Sequence, residues 1–255
     1  MINNHPQILP LENVPMISGG DDLAKIIYET LNDQGLKLIS DDIVCVAQKV
    51  VSKAENRLIA LDDVSPSDEA VRLAGETEKD PRLVHLILEE SDEILRKKPG
   101  VLIVRHRLGI VGANAGIDQS NIDHKGGEHA LLLPKDPDAS ARTLRNELQE
   151  YCKCALGVLI TDSHNRPWRL GTTGSAIGSA GIRVLDDRRG GTDLYGRELK
   201  VTLINRADAI ASITTLFMGE TTEKIPVAIF RGNTMNSETD SAKMINRPLD
   251  EDLFR

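Results

Sequence analysis

Aromatic side chains are scarce in this chain. Phe, Tyr and Trp make up 3% of its 255 residues, with a single Trp. The core must therefore be aliphatic, and a stacking platform for single-stranded nucleic acid, which needs exposed rings, is disfavoured. Positive charge is also short, with 31 Lys and Arg against 39 Asp and Glu for a net charge of −8. That balance argues against a general polyanion-binding surface, so nucleic acid is not an expected partner. The three cysteines, Cys45, Cys152 and Cys154, are too few for a disulfide framework. Cys152-x-Cys154 lacks a second ligand pair at metal spacing and reads as two incidental helix residues. No apolar run approaches the roughly 20 residues of a membrane span, and Met-Ile-Asn-Asn-His-Pro has neither a basic nor an apolar leader region. The expectation is a cytoplasmic protein with no membrane partner.

What remains is ordinary globular composition, 40% hydrophobic and 27% charged, in a chain long enough to bury a full core. Asp21 to Leu36 has helical apolar spacing and a stop at Gly35. Ser65-Pro66-x-Asp68, Asp80-Pro81 and Asp136-Pro137 each look like a cap followed by Pro at a first helical position. Asp42–Ala47, Val101–His106, Ala155–Ile160 and Ile225–Phe230 read as strands, and Ala207–Met218 has the period of a helix. Alternation without repeat points to a mixed α/β or α+β layer structure. After Gly232 the composition turns polar, so 233–255 reads as a tail or peripheral element.

Three places could hold hard divalent cations, which prefer carboxylates and neutral oxygens. They are the cluster around Asp118, the stretch Thr161-Asp162-Ser163 at an expected strand end, and Met218-Gly219-Glu220. Taken singly, each is also what a turn or helix end supplies. The run Gly171 to Gly181 is neither a Walker loop nor a dinucleotide fingerprint. Its small residues suit close backbone approach, either to a ligand or in a tight strand pair or subunit contact. Lys53 follows a buried strand, and Arg166 and Arg169 bracket Trp168; arginine suits bidentate contact with phosphate or carboxylate. His124 and His129 lie in a polar loop without further ligands, and Asp193–Leu199 reads as a structural turn.

The order of these segments is more specific than any one of them. VAQKVVSKAE (46–55), GANAGIDQSN (112–121), LLLPKDPDASA (131–141), TDSHNRPWRLGTTGSAIGSAG (161–181), DLYGRELKVT (193–202), ADAIASITTLFMGE (207–220) and IPVAIFRG (225–232) together resemble the coenzyme F420-0:L-glutamate ligase family. The resemblance runs from about Val14 to Gly232, so 1–232 is expected to form the ligase domain. It implies a GTP-dependent enzyme that adds γ-linked L-glutamate to the deazaflavin coenzyme F420-0. It also implies a two-lobed mixed α/β fold forming an intertwined homodimer.

By the same resemblance, Asp118 and Asp162 match ligands of a first divalent metal, and Ser163 and Glu220 ligands of a second. Mg2+ or Mn2+ is implied, two per site, with K+ as a candidate monovalent ion. Gln48, Lys49, Lys53 and Asn121 match nucleotide contacts, as does the segment Met218, Gly219, Glu220, Thr221, Thr222, Glu223, Lys224 and Ile225. Val14, Pro15, Met16 and Ile17 lie where relatives also touch GTP. Arg166 and Arg169, with Lys53, are assigned a catalytic charge-collecting role from chemistry alone. Relatives usually carry Gly at position 165, Thr at 163 and Gln at 220. Here Asn165 can still turn, and Glu220 adds a negative charge. The competing readings are an amide ligase acting on another carboxylic acid and a metal-dependent phosphohydrolase.

Overall fold

Ile43–Val46 and Val158–Ile160 are unbroken apolar runs, the pattern of strands covered on both faces. The computed structural model, which describes residues 5–124, 126–232 and 236–253, places them side by side in a mixed α/β architecture. The first part of the chain contains β1 (Gln7–Pro10), α1 (Leu23–Asp33), β2 (Ile43–Ala47), α2 (Gln48–Ala54), β3 (Leu58–Ala60), α3 (Asp68–Thr77) and α4 (Pro81–Glu89). Next come β4 (Ser91–Lys98), β5 (Val101–His106), β6 (Val111–Ala113), β7 (His129–Leu131) and α5 (Pro137–Cys152). The remainder is β8 (Gly157–Arg166), β9 (Arg169–Ala180), β10 (Leu185–Asp187), β11 (Leu203–Asn205), α6 (Arg206–Met218) and β12 (Val227–Arg231).

Among the described residues the largest sheet has five strands in the order β1-β12-β2-β8-β9. Of its strand pairs only β2 and β8 run parallel, and their pairing stops where Ala47, the last residue of β2, lies opposite Thr161 in the middle of β8. The two-residue period splits the sheet side chains cleanly. Val44, Val46, Val158 and Ile160 face α1 and α5, while Ile43, Cys45 and Leu159 face α6. A separate aliphatic cluster forms where α3 and α4 cover β5, with Leu73, Val84, Ile87, Leu102 and Val104 at its centre.

Capping explains most helix starts. Asp22, Asp80 and Asp136 accept from the backbone N–H of Lys25, Arg82 and Ala139, and Pro81 and Pro137 open their helices. The expected start at Ser65-Pro66 shifts: Ser67 is the cap, accepting from Ala70 N–H, and α3 begins at Asp68.

The segment 161–170 departs furthest from expectation. The strand does not stop at Thr161; it continues to Arg166, turns at Pro167-Trp168 and returns as β9 through the glycine-rich run. Two of those glycines, Gly174 and Gly178, are packing positions against helices of the same chain. A Cβ on Gly174 would lie 2.4 Å from the Ala211 carbonyl of α6, and one on Gly178 would lie 2.3 Å from the Pro137 carbonyl of α5. Bulk is absent because a helix crosses each face of the strand at van der Waals contact.

Residues 236–253 lie along the body. Glu238 pairs with Arg145 at 2.6 Å, Asp240 accepts from Val184 N–H at 3.0 Å, and the Asn246 amide donates to the Leu108 carbonyl at 2.9 Å. Residues 233–235 and 254–255 of the expected polar tail lie outside the described residues. Among the described residues no helix is long and apolar enough to cross a membrane.

Candidate active site

Ligands of parallel strands collect at the strands' carboxyl ends, where the chain leaves the sheet and side chains are free to converge. Here β2 ends at Ala47 opposite Thr161 while β8 runs on, so Gln48 and Lys49 emerge beside Asp162 and Ser163. Because β12 is antiparallel to β2, the loop that enters it, Met218–Ile225, opens on the same edge. The segment that leaves β1, Val14–Ile17, does too. These four chain segments and the Asp118–Asp123 loop line one groove of about 1210 Å³.

All the expected nucleotide and metal positions border this groove: Val14, Pro15, Met16, Ile17, Gln48, Lys49, Lys53, Asp118, Asn121, Asp162, Ser163 and the whole of Met218 to Ile225. Arg166 and Arg169 do not. They sit opposite each other beside the tight turn of the β8–β9 ribbon, exposed at its tip. Trp168 holds φ 59° in that turn and is 81% exposed.

The loop carrying Asp118 is shaped by two successive left-handed residues, Asn114 (φ 52°) and Ala115 (φ 55°). A reciprocal backbone pairing with Leu131, at 3.0 and 2.8 Å, then fixes Asp118 itself. Helix α2 reaches over this loop. The Gln48 amide donates to Asp118 Oδ2 at 3.3 Å, Lys49 Nζ lies 3.3 Å from the same oxygen, and Lys53 Nζ donates to the Asn121 carbonyl at 2.9 Å. Burial lowers the Lys53 ammonium from its ordinary range, and the neighbouring Lys49 charge lowers it further.

Asp162 is the buried acid of the groove. Burial raises its carboxyl above the usual carboxylate range, His164 works against that, and the Asp118 carboxylate adds to it. A β-bulge between Ile160 and Thr161 immediately precedes it, a device that re-aims side chains beside sites. Across the groove, Glu220 accepts from the Thr172 hydroxyl of β9 at 2.9 and 2.8 Å. Glu223 closes its own turn by accepting from Thr221 N–H at 2.8 Å. That bonding, with its own backbone N–H first, holds its carboxyl below the ordinary value.

Among the described residues no three Asp, Glu, His or Cys side chains converge on one point. This is compatible with Mg2+ or Mn2+, which commonly takes one or two carboxylates and completes its shell with water and substrate phosphates. Two mutually repelling carboxylates, both under the influence of the Lys49 ammonium, a hydroxyl at Ser163 and Glu220 opposite form a hard-oxygen donor set that fits such ions.

His164, Thr172 and Ser175 stand out in no motif of the sequence, yet all lie on the β8–β9 ribbon, His164 and Ser175 beside Asp162 and Thr172 against Glu220. The available signal was the alternation Asp162-x-His164, which puts both on one face once the strand is extended past Thr161.

An α/β sheet whose strand ends gather carboxylates, lysines and hydroxyls round one large cleft has the make-up of an enzyme for charged small molecules. Residues 12–232 match the profile of the F420-0:gamma-glutamyl ligase family. A relative from Methanopyrus kandleri named coenzyme F420:L-glutamate ligase is 44% identical, with 97% of this chain and 98% of the relative covered. One of the same name from Methanothermobacter thermautotrophicus is 41% identical with the same coverage, 97% and 98%. A third, from Methanocaldococcus jannaschii, is 40% identical over 98% and 96%. The chain belongs to the F420-0:gamma-glutamyl ligase family, and its relatives make it a ligase.

Proposed function

We propose that this chain forms an amide bond between L-glutamate and the terminal carboxylate of coenzyme F420-0, driven by GTP, in a γ-linked reaction. A carboxylate does not condense with an amine in neutral water without a leaving group. In the proposed sequence a carboxylate oxygen attacks the γ-phosphorus of GTP and GDP departs, leaving an acyl phosphate. The glutamate amine then attacks the acyl carbon, phosphate leaves, and the nitrogen loses its proton.

Catalysis of the first step is chiefly alignment and charge neutralisation. Bound Mg2+ or Mn2+ would neutralise phosphate charge, with Asp118, Asp162, Ser163 and Glu220 as its protein donors. Lys49 and Lys53 supply fixed positive charge on one wall, and the Met218–Ile225 and Val14–Ile17 segments bound the nucleotide. The single supporting observation is the convergence of these segments on the carboxyl end of β2 and the residues of β8 just beyond their parallel pairing, in a groove large enough for a nucleotide. K+ belongs to the same reading as a monovalent companion of the phosphates. Residues 1–232 act as the catalytic unit of a two-lobed, intertwined homodimer working in the cytoplasm.

Incubation with GTP, L-glutamate and coenzyme F420-0 should release GDP and yield a product heavier by one or more glutamyl units, read by mass spectrometry. Asp118→Asn and Asp162→Asn should each abolish turnover while leaving the circular dichroism spectrum unchanged. Phosphate release without any need for glutamate would instead indicate a phosphohydrolase, and another acid accepted in preference would move the substrate assignment.

A further inference from the structure

Asp162, His164 and Ser175 occupy one face of the β8–β9 ribbon. Asp162 and His164 are two apart on one strand, and Ser175 is the cross-strand partner of Asp162. The ring is confined, with its side chain 17% exposed and the Asp162 side chain 11%. Its Nε2 lies 3.2 Å from Asp162 Oδ2 without the alignment of a hydrogen bond, and its Nδ1 meets the Ser175 hydroxyl. Gly112 of β6 passes close by, so that a Cβ there would lie 3.7 Å from the His164 ring.

We propose that His164 is a positioning residue for Asp162: held by Ser175, it presents an N–H to one carboxylate oxygen and leaves the other for a divalent cation. The inference rests on the metal-binding reading of Asp162. The tautomer that suits both contacts has the Ser175 hydroxyl donating to Nδ1, which puts the ring proton on Nε2, facing the carboxylate. A carboxylate free to rotate offers a cation both oxygens in many geometries. One held through a single oxygen, as this contact would hold it once aligned, offers one geometry, and partners of this kind commonly set metal affinity by about 10–100-fold. The chain reaches this arrangement with a Ser hydroxyl from the glycine-rich strand, which gives that strand a role in the groove that its packing against α5 and α6 does not explain.

The test measures Mn2+ binding to the full chain without nucleotide, by electron paramagnetic resonance, beside thermal unfolding. His164→Leu, which keeps bulk against Gly112, should weaken Mn2+ by about 10–100-fold. His164→Gln, whose amide N–H can replace Nε2, should recover most of that loss at an equal unfolding midpoint. Ser175→Ala should weaken binding several-fold in the same direction, which keeps the inference testable if His164→Leu does not fold. Equal Mn2+ affinity in His164→Gln and His164→Leu, or unaltered affinity in Ser175→Ala, would overturn the positioning role. Asp162→Asn separates the two readings: if it binds Mn2+ as the parent does, the metal assignment fails; if it alone loses binding, the role of His164 does.

Discussion

Glu90 shows what a single carboxylate does when several cations face it. It accepts from Arg57 at 3.0 Å and from Arg107 at 2.8 Å, and His106 Nε2 lies 3.3 Å away. Burial works to raise its carboxyl, but His106, Arg107 and Arg57 outweigh that and lower it to about 2. The folded value lies below the unfolded one, so the stability it contributes is complete above about 4.5 and lost as pH falls toward 2. Glu90→Ala leaves the buried Arg57 without its counter-charge and should cost about 3–5 kcal/mol in urea unfolding at pH 7. The same pair compared near pH 2 should differ much less; an equal gap at both pH values would refute the charge argument. Of the groove residues, Asp118, Asp162, Ser163 and Glu220 were singled out through family resemblance, and all four border one groove. The burial of Asp162 was not legible, because it depends on β2 and β9 closing over it from elsewhere in the chain.

At the scale of elements, the glycine positions of β9 carry the sharpest expectation. Gly178→Ala would push a methyl to 2.3 Å from the Pro137 carbonyl, and backbone must move to admit it. Overpacking of this kind costs about 1–3 kcal/mol, visible as a lower melting temperature with the groove chemistry unchanged. Gly171→Ala meets no neighbouring atom, yet its φ of +87° strains any side chain, so it is the comparison in which backbone conformation alone is responsible. Helix starts at Asp80 and Asp136 were readable because a cap and the backbone N–H that donates to it lie within three residues of each other. The ribbon beyond Ile160 was not. A run interrupted by Gly at 171, 174 and 178 has little strand propensity, and what makes it a strand is its pairing with β8 and the two helices packed on it. The helix expected at Ser65 slid to Ser67 for a smaller reason: Ser67 offers the hydroxyl that accepts from Ala70 N–H.

Across the whole molecule, the most exposed large apolar side chains of the described residues gather on a few segments. Trp168 and Leu170 near the ribbon tip and Leu194 and Tyr195 in the loop before β11 are almost fully exposed, and Leu216 is largely so on α6. The proposed dimer gives that surface an occupant. Light scattering should report twice the 27.9 kDa chain mass, and Trp168→Ser with Leu170→Ser should shift it toward the monomer; a parent protein that is monomeric at micromolar concentration would end the expectation. One feature of the sheet also bears on how such a chain is made. β12 is inserted between β1 and β2, so the strand that leads into Gln48 and Lys49 has no neighbour on that side until Val227–Arg231 has emerged from the ribosome. Nascent chains halted upstream would display a bare apolar edge, a substrate for chaperones, and would possess no working groove however long they waited.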